Sequence, residues 1–150
     1  MRIVKNQIRD IKYGKNVKIY EPVNLYECEF SDNVKIGPFV EIQKNVVIGK
    51  NTTISSHSFI CELVTIGENC FISHGVMFTN DLFKNGSLGG SQEKWKSTNI
   101  GNNVLIGSNS TILPVEICDN VVIGAGSVVT KSIKKSGIYF GVPAKFIREL

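Results

Sequence analysis

Val46-Val47-Ile48-Gly49-Lys50-Asn51-Thr52-Thr53-Ile54 contains in one stretch the rule that most of the chain repeats. A large apolar residue stands at every sixth position from Phe30 to Phe78, through Ile36, Ile42, Ile48, Ile54, Ile60, Ile66 and Ile72. Two residues before each of the last eight comes Val34, Val40, Val46, Thr52, Ser58, Val64, Cys70 or Val76. A helix repeats near 3.6 residues and an isolated strand near 2, so neither gives a strict period of six. A short fixed repeat means a solenoid, here one whose sides are very short strands. Three hexads return the chain above its start, giving coils of about 18 residues stacked roughly 4.8 Å apart. The isoleucine and the residue two before it point into the prism, and the residues between them form corners and outer faces. Gly37, Gly49, Gly67, Gly101, Gly107 and Gly124 each follow an inward Ile, and a tight corner with positive φ is expected there. The series resumes as Ile100, Ile106, Ile112, then Ile117, Ile123 and Val129. The step from Ile112 to Ile117 is one residue short, beside Pro114, so a distorted corner is expected.

The chain has 150 residues, 42% of them hydrophobic, and a net charge of +4. These values fit one domain over residues 1–150 with no membrane insertion. The start Met1-Arg2-Ile3-Val4-Lys5 lacks the apolar core of a signal peptide, which points to a cytoplasmic location. The charge suits an anionic small ligand and is too weak to imply nucleic acid. Cys70 and Cys118 fall on or beside inward positions, Cys28 and Cys61 fall off them, and no pair is spaced for metal, so four free thiols are expected. Residues 1–11 read as an N-terminal strand or cap. The period is lost over about 81–99, a Gly- and Ser-rich stretch holding Trp95. It reads as a loop ejected from the prism, either a surface excursion or the wall of a binding site. Residues 133–150 read as a cap, with Pro143 to Leu150 as a short helix carrying Pro143 in its first turn. Such a cap would cover the solenoid's open strand edge.

The register also says which polar residues share a corner. Lys44, Glu62 and Asn80 each lie two after an inward residue and 18 apart, so they stack on one corner and face outward, with Asp81 at the root of the loop. On residue type alone this column is either a ligand-facing strip or a solvated ladder with a weak surface ion pair. The two histidines are His57 and His74. His74, two after Ile72, sits on a different corner. No Ser-His-Asp set and no phosphate-cradling glycine loop is present.

Repeats such as Ile48-Gly49-Lys50-Asn51-Thr52-Thr53 and Ile66-Gly67-Glu68-Asn69-Cys70-Phe71 resemble the hexapeptide-repeat acyltransferases, as does the ending Asn120 to Lys131 followed by Gly141-Val142-Pro143-Ala144-Lys145. The resemblance covers roughly residues 12–147 and implies an all-β, left-handed parallel β-helix. Within that class, Phe78-Thr79-Asn80-Asp81, with Glu62 one coil earlier, is similar to the nucleotide-sugar N-acetyltransferases. That branch uses acetyl-CoA to acetylate an amino group of a nucleotide-linked sugar. The O-acetyltransferases of the class carry a His-Pro element near the equivalent loop, and this chain has Asn80-Asp81-Leu82 there. The γ-type carbonic anhydrases of the same fold need three histidines around zinc, so no metal is expected.

What the resemblance implies is an N-acetyltransferase for a dTDP-linked 3-amino-3,6-dideoxyhexose, serving surface-glycan synthesis such as O-antigen or lipopolysaccharide. The alternatives are a UDP-linked 3-amino uronic acid as acceptor, an O-acetyltransferase with His74 as base, and a non-catalytic binding protein of the same fold. The scarcity of arginine (Arg2, Arg9 and Arg148) favours the dideoxyhexose over the uronic acid. Asn80, Glu62, Asp81 and His74 are the expected catalytic set, with Lys44 and His57 binding substrate. Acetyl-CoA is expected against Gly107, Ser108, Ala125 and Gly126, its phosphates near Lys131, Lys145 and Arg148. The class also implies a homotrimer with sites between subunits. Outward apolar residues such as Val47, Phe59 and Phe71 fit such an assembly.

Overall fold

The computed structural model describes residues 1, 7–83, 86 and 95–150. The chain winds as a left-handed parallel β-helix whose three sides are sheets of seven, six and eight strands among the described residues. Most strands are two or three residues long, because each side of the prism is only one hexad. Most successive coils pair in parallel at a spacing of 17 or 18 residues, as in Lys18↔Lys35 and Lys35↔Thr53, with 34 across the insertion, as in Val64↔Thr98, and 16 at the last coil, as in Val121↔Gly137. The first sheet runs from Ile8–Arg9 through Asn24–Tyr26, Glu41–Ile42, Phe59–Ile60, Met77–Phe78 and Thr111–Ile112 to Val128–Val129. Three corners join the sides: the first leads from the first sheet to the second, the second from the second to the third, and the third back to the first.

The core is the predicted column. Ile36, Ile42, Ile48, Ile54, Ile60, Ile66 and Ile72 are fully buried, as are Val34, Val46 and Val76. Thr52 and Ser58 are buried among them, and their hydroxyls donate to the corner carbonyls of Gly67 at 2.8 Å and Ser73 at 2.9 Å. A hydroxyl in the core is tolerated because it satisfies a carbonyl that the turn leaves unpaired. Cys28 and Cys61 correct the sequence reading: both lie in the core, at 3% and 2% exposure. Cys28 takes the inward place before Phe30, in a step from Leu25 that is one residue short. Burial pushes both thiols up to about 12.

The corners also differ from expectation. Positive φ belongs to the third residue after the inward Ile, and at the second corner that residue is Asn16, Asn33, Asn51, Asn69, Asn103 or Asn120. Asparagine tolerates the left-handed region better than other side-chain-bearing residues. Here the amides also bond coil to coil, Asn33 to Asn51 and Asn51 to Asn69 at 3.0 Å each. The glycine after Ile answers a steric need instead: a Cβ on Gly49 would stand 2.5 Å from the Gly67 carbonyl one coil on. The short step beside Pro114 has no positive-φ residue between Asn109 and Asn120, so a corner residue is missing, as expected.

The C-terminal helix is a further correction. Lys145–Arg148 is a strand, antiparallel to Gly137–Phe140, with Phe146 packed edge-on against Tyr139 at 5.5 Å. One or two turns of isolated helix are marginal in water, whereas the last coil offers a row of unpaired backbone groups that a strand satisfies. The expected loop partly lies outside the described residues. The chain leaves the solenoid after Asn80 and returns at Thr98–Ile100, which pairs with Val64–Ile66 as the next coil.

Candidate functional site

The first corner gathers the predicted column. Asn80 Nδ2 donates to the Glu62 carbonyl at 3.5 Å, and Lys44 Nζ lies 4.0 Å from Glu62 Oε2. Glu62 does not face outward as the register alone suggested. It is 8% exposed, and the corner turns just after it at Leu63, whose φ is +69°. A leucine held in the left-handed region costs about 1 kcal/mol or more, the kind of local strain that gathers at functional sites. Asp81 lies at the root of the insertion, its Oδ1 accepting from the Phe83 N–H at 2.9 Å. The far root is tied down at the same corner, where the Lys96 N–H donates to the Asn80 carbonyl at 3.1 Å.

Three further residues belong to this corner, and only one of them falls within the regular hexads. Gln43 Oε1 accepts from the Glu62 N–H at 3.3 Å while its amide donates to Glu41 at 3.0 Å, which braces the backbone that carries Glu62. Below it, Arg9 lies 4.5 Å above the Tyr26 ring. The Tyr26 phenol is raised above its ordinary value by burial, then by the charges of Glu41 and Glu62. Gln43 was readable one place before Lys44. Tyr26 and Arg9 were not, because the step from Leu25 to Phe30 is five and breaks the count.

The third corner holds a different set. His74 is exposed and its Nδ1 lies 2.8 Å from Ser56 Oγ one coil below. His57 stacks on Phe39 at 4.8 Å between ring centroids, both with positive φ. Higher on this corner come Gly107, Ser108, Ala125 and Gly126, with Ser108 Oγ 2.7 Å from Ser73 Oγ. A Cβ on Gly126 would meet nothing within 4 Å, so the corner is open there. Lys131 is exposed and follows Val129 on the first corner, and Lys145 is exposed on the terminal strand. The residues expected around one site thus divide between two corners of a single chain. Among the described residues, no group of His, Cys, Asp and Glu is placed to hold a metal ion.

Comparison with known proteins places the chain in context. Residues 28–62 match the family described as bacterial transferase hexapeptide (six repeats), and residues 98–131 match the hexapeptide repeat of succinyl-transferase. The chain is 32% identical over 152 residues to the bifunctional protein GlmU of Streptococcus uberis, covering 95% of this chain and 32% of that protein. It is 44% identical over 95 residues to the galactoside O-acetyltransferase of Escherichia coli, covering 58% of this chain and 44% of that one. The chain therefore spans less than half the length of these curated relatives. Among solved structures, a point mutant of AntD, an N-acyltransferase from Bacillus cereus in complex with dTDP and coenzyme A, superposes with a TM-score of 0.66. That match is at 24% identity and covers 92% of this chain and 83% of that one.

Proposed function

The chain belongs to the hexapeptide-repeat transferases, and from that premise we propose that it moves an acetyl group from acetyl-CoA to the amino group of a nucleotide-linked amino sugar. The acceptor we favour is a dTDP-3-amino-3,6-dideoxyhexose. The observation that carries the reading is the first corner, where Asn80 donates to the Glu62 main-chain carbonyl and the buried Glu62 carboxylate stands one coil below Asp81 at the root of the insertion. A neutral amine is already a nucleophile, so the site has mainly to orient it. Glu62 and Asp81 accept hydrogen bonds from the amine while Asn80 donates to the developing oxyanion. Nitrogen attacks the thioester carbonyl, the C–S bond breaks, and the leaving sulfur takes the proton that nitrogen sheds, giving an amide and free CoA. The pantetheine arm lies along Gly107, Ser108, Ala125 and Gly126, with its phosphates near Lys131 or Lys145. Because these residues divide between two corners, the reading requires a homotrimer in which a neighbour's third corner, with His74, meets the first corner.

The similarity to a galactoside O-acetyltransferase, with the Ser56–His74 contact, supports a second reading. There His74 acts as the base that a hydroxyl acceptor needs. Thiol release from acetyl-CoA, measured against nucleotide-linked amino sugars and their hydroxy counterparts, separates the two. Turnover confined to amines supports the first, and turnover confined to hydroxyls replaces it with the second.

A further inference from the structure

Low on the third corner, a groove of about 440 Å³ lies away from the Glu62–Asn80 pair. Its walls come from two rows. Lys35, Thr53 and Phe71 are register partners on three successive third-sheet strands, and Ser56 and His74 stand above one another at the corner. Tyr20 closes the lower end, with Lys35 Nζ 5.5 Å from its ring centroid. Gly37 also lines the groove, and a Cβ there would come within 2.8 Å of the Ser56 main-chain nitrogen on the next coil.

The chemistry of this lining is one-sided. It offers an ammonium, an imidazole, hydroxyls and two aromatic rings, and its residues include no carboxylate. Aromatic rings stack on a nucleobase, and Lys with hydroxyls and a histidine matches phosphate oxygens. The volume falls within the range of small-molecule sites. The first corner has the opposite character, with Glu41, Glu62 and Asp81 beside Lys44 and Arg9.

We infer that this groove is a subsite for a nucleoside diphosphate, in which Lys35 and His74 face the phosphates and Tyr20 or Phe71 stacks on the base. The inference rests on the proposed function for what the nucleotide belongs to: the sugar acceptor, or the adenosine diphosphate of coenzyme A. On either assignment His74 is a ligand-binding residue for amine transfer.

Calorimetric titration of the intact protein with dTDP, with UDP and with CoA tests it, comparing wild type with Lys35→Ala, Lys35→Arg and Tyr20→Ala. Lys35→Ala is expected to weaken at least one of these ligands roughly tenfold, with Lys35→Arg recovering most of the loss and thermal unfolding unchanged. Loss confined to dTDP or UDP assigns the groove to the acceptor, and loss confined to CoA assigns it to the donor. Unchanged affinity for all three in both alanine variants overturns the subsite. Lys35-dependent binding without acetyl transfer to any amino sugar would retire the transferase reading and leave the subsite standing. Transfer that proceeds with every affinity unchanged in both alanine variants would do the reverse.

Discussion

The first and third corners are built from the same hexad yet carry opposite chemistry. At the first, the positions after the inward Ile hold Gln43 and Lys44, Cys61 and Glu62, Thr79 and Asn80, and the carboxylate is nearly shut away from solvent. At the third they hold Pro38, Ser56 and His74, with exposed Phe71 alongside. Neither set displaces the inward isoleucines, although Cys61 itself joins the core. The solenoid fixes where each group stands while leaving its identity free. The second corner shows the same backbone with no ligand chemistry asked of it: a stack of left-handed asparagines bonded amide to amide.

The contrast can be broken at each corner. Asn80→Ala carries the largest expected effect, a fall of about 100-fold in kcat/KM for amine acceptors, with CoA affinity held. A loss of affinity alone would mean that Asn80 binds and does not orient. His74→Ala should cost amine transfer less than about tenfold, mostly through KM. A far steeper fall in kcat would make it the base. The buried thiols give an intermediate test of the core beneath the first corner. Held at about 12, Cys28 and Cys61 should resist alkylation near pH 8 until the protein unfolds. Because the unfolded chain releases those protons first, stability should also fall as pH rises above the ordinary thiol value of 9.0. The smallest effect belongs to the second corner, where Asn51→Ala should cost about 1 kcal/mol in thermal or denaturant unfolding and leave kcat unchanged.

How far the sequence could be read follows from where its period holds. From Phe30 to Phe78 the count of six places every core residue but Cys61 and stacks Lys44, Glu62 and Asn80 on one corner. Where the count slips, at Leu25 to Phe30, the reading misses Cys28 in the core and Tyr26 beneath Gln43. The glycines misled because one residue type answers two needs: Gly49 is required by a neighbouring carbonyl, while Asn51 takes the left-handed turn. The end of the chain was misread because Pro143 suits a helix start locally, while the decisive influence is the open edge of the last coil. The burial of Glu62 was hidden too. Glu62 holds the same place in its hexad as Lys44 and His74, which are less buried, so register alone does not tell them apart.

Steady-state kinetics of Glu62→Ala and Lys35→Ala on one amino-sugar acceptor test most directly the division of labour between the corners. The account predicts that Glu62→Ala lowers kcat with little change in KM, while Lys35→Ala raises the KM of acceptor or acetyl-CoA with kcat nearly unchanged. The reverse pattern, or an equal fall in kcat for both, would contradict it.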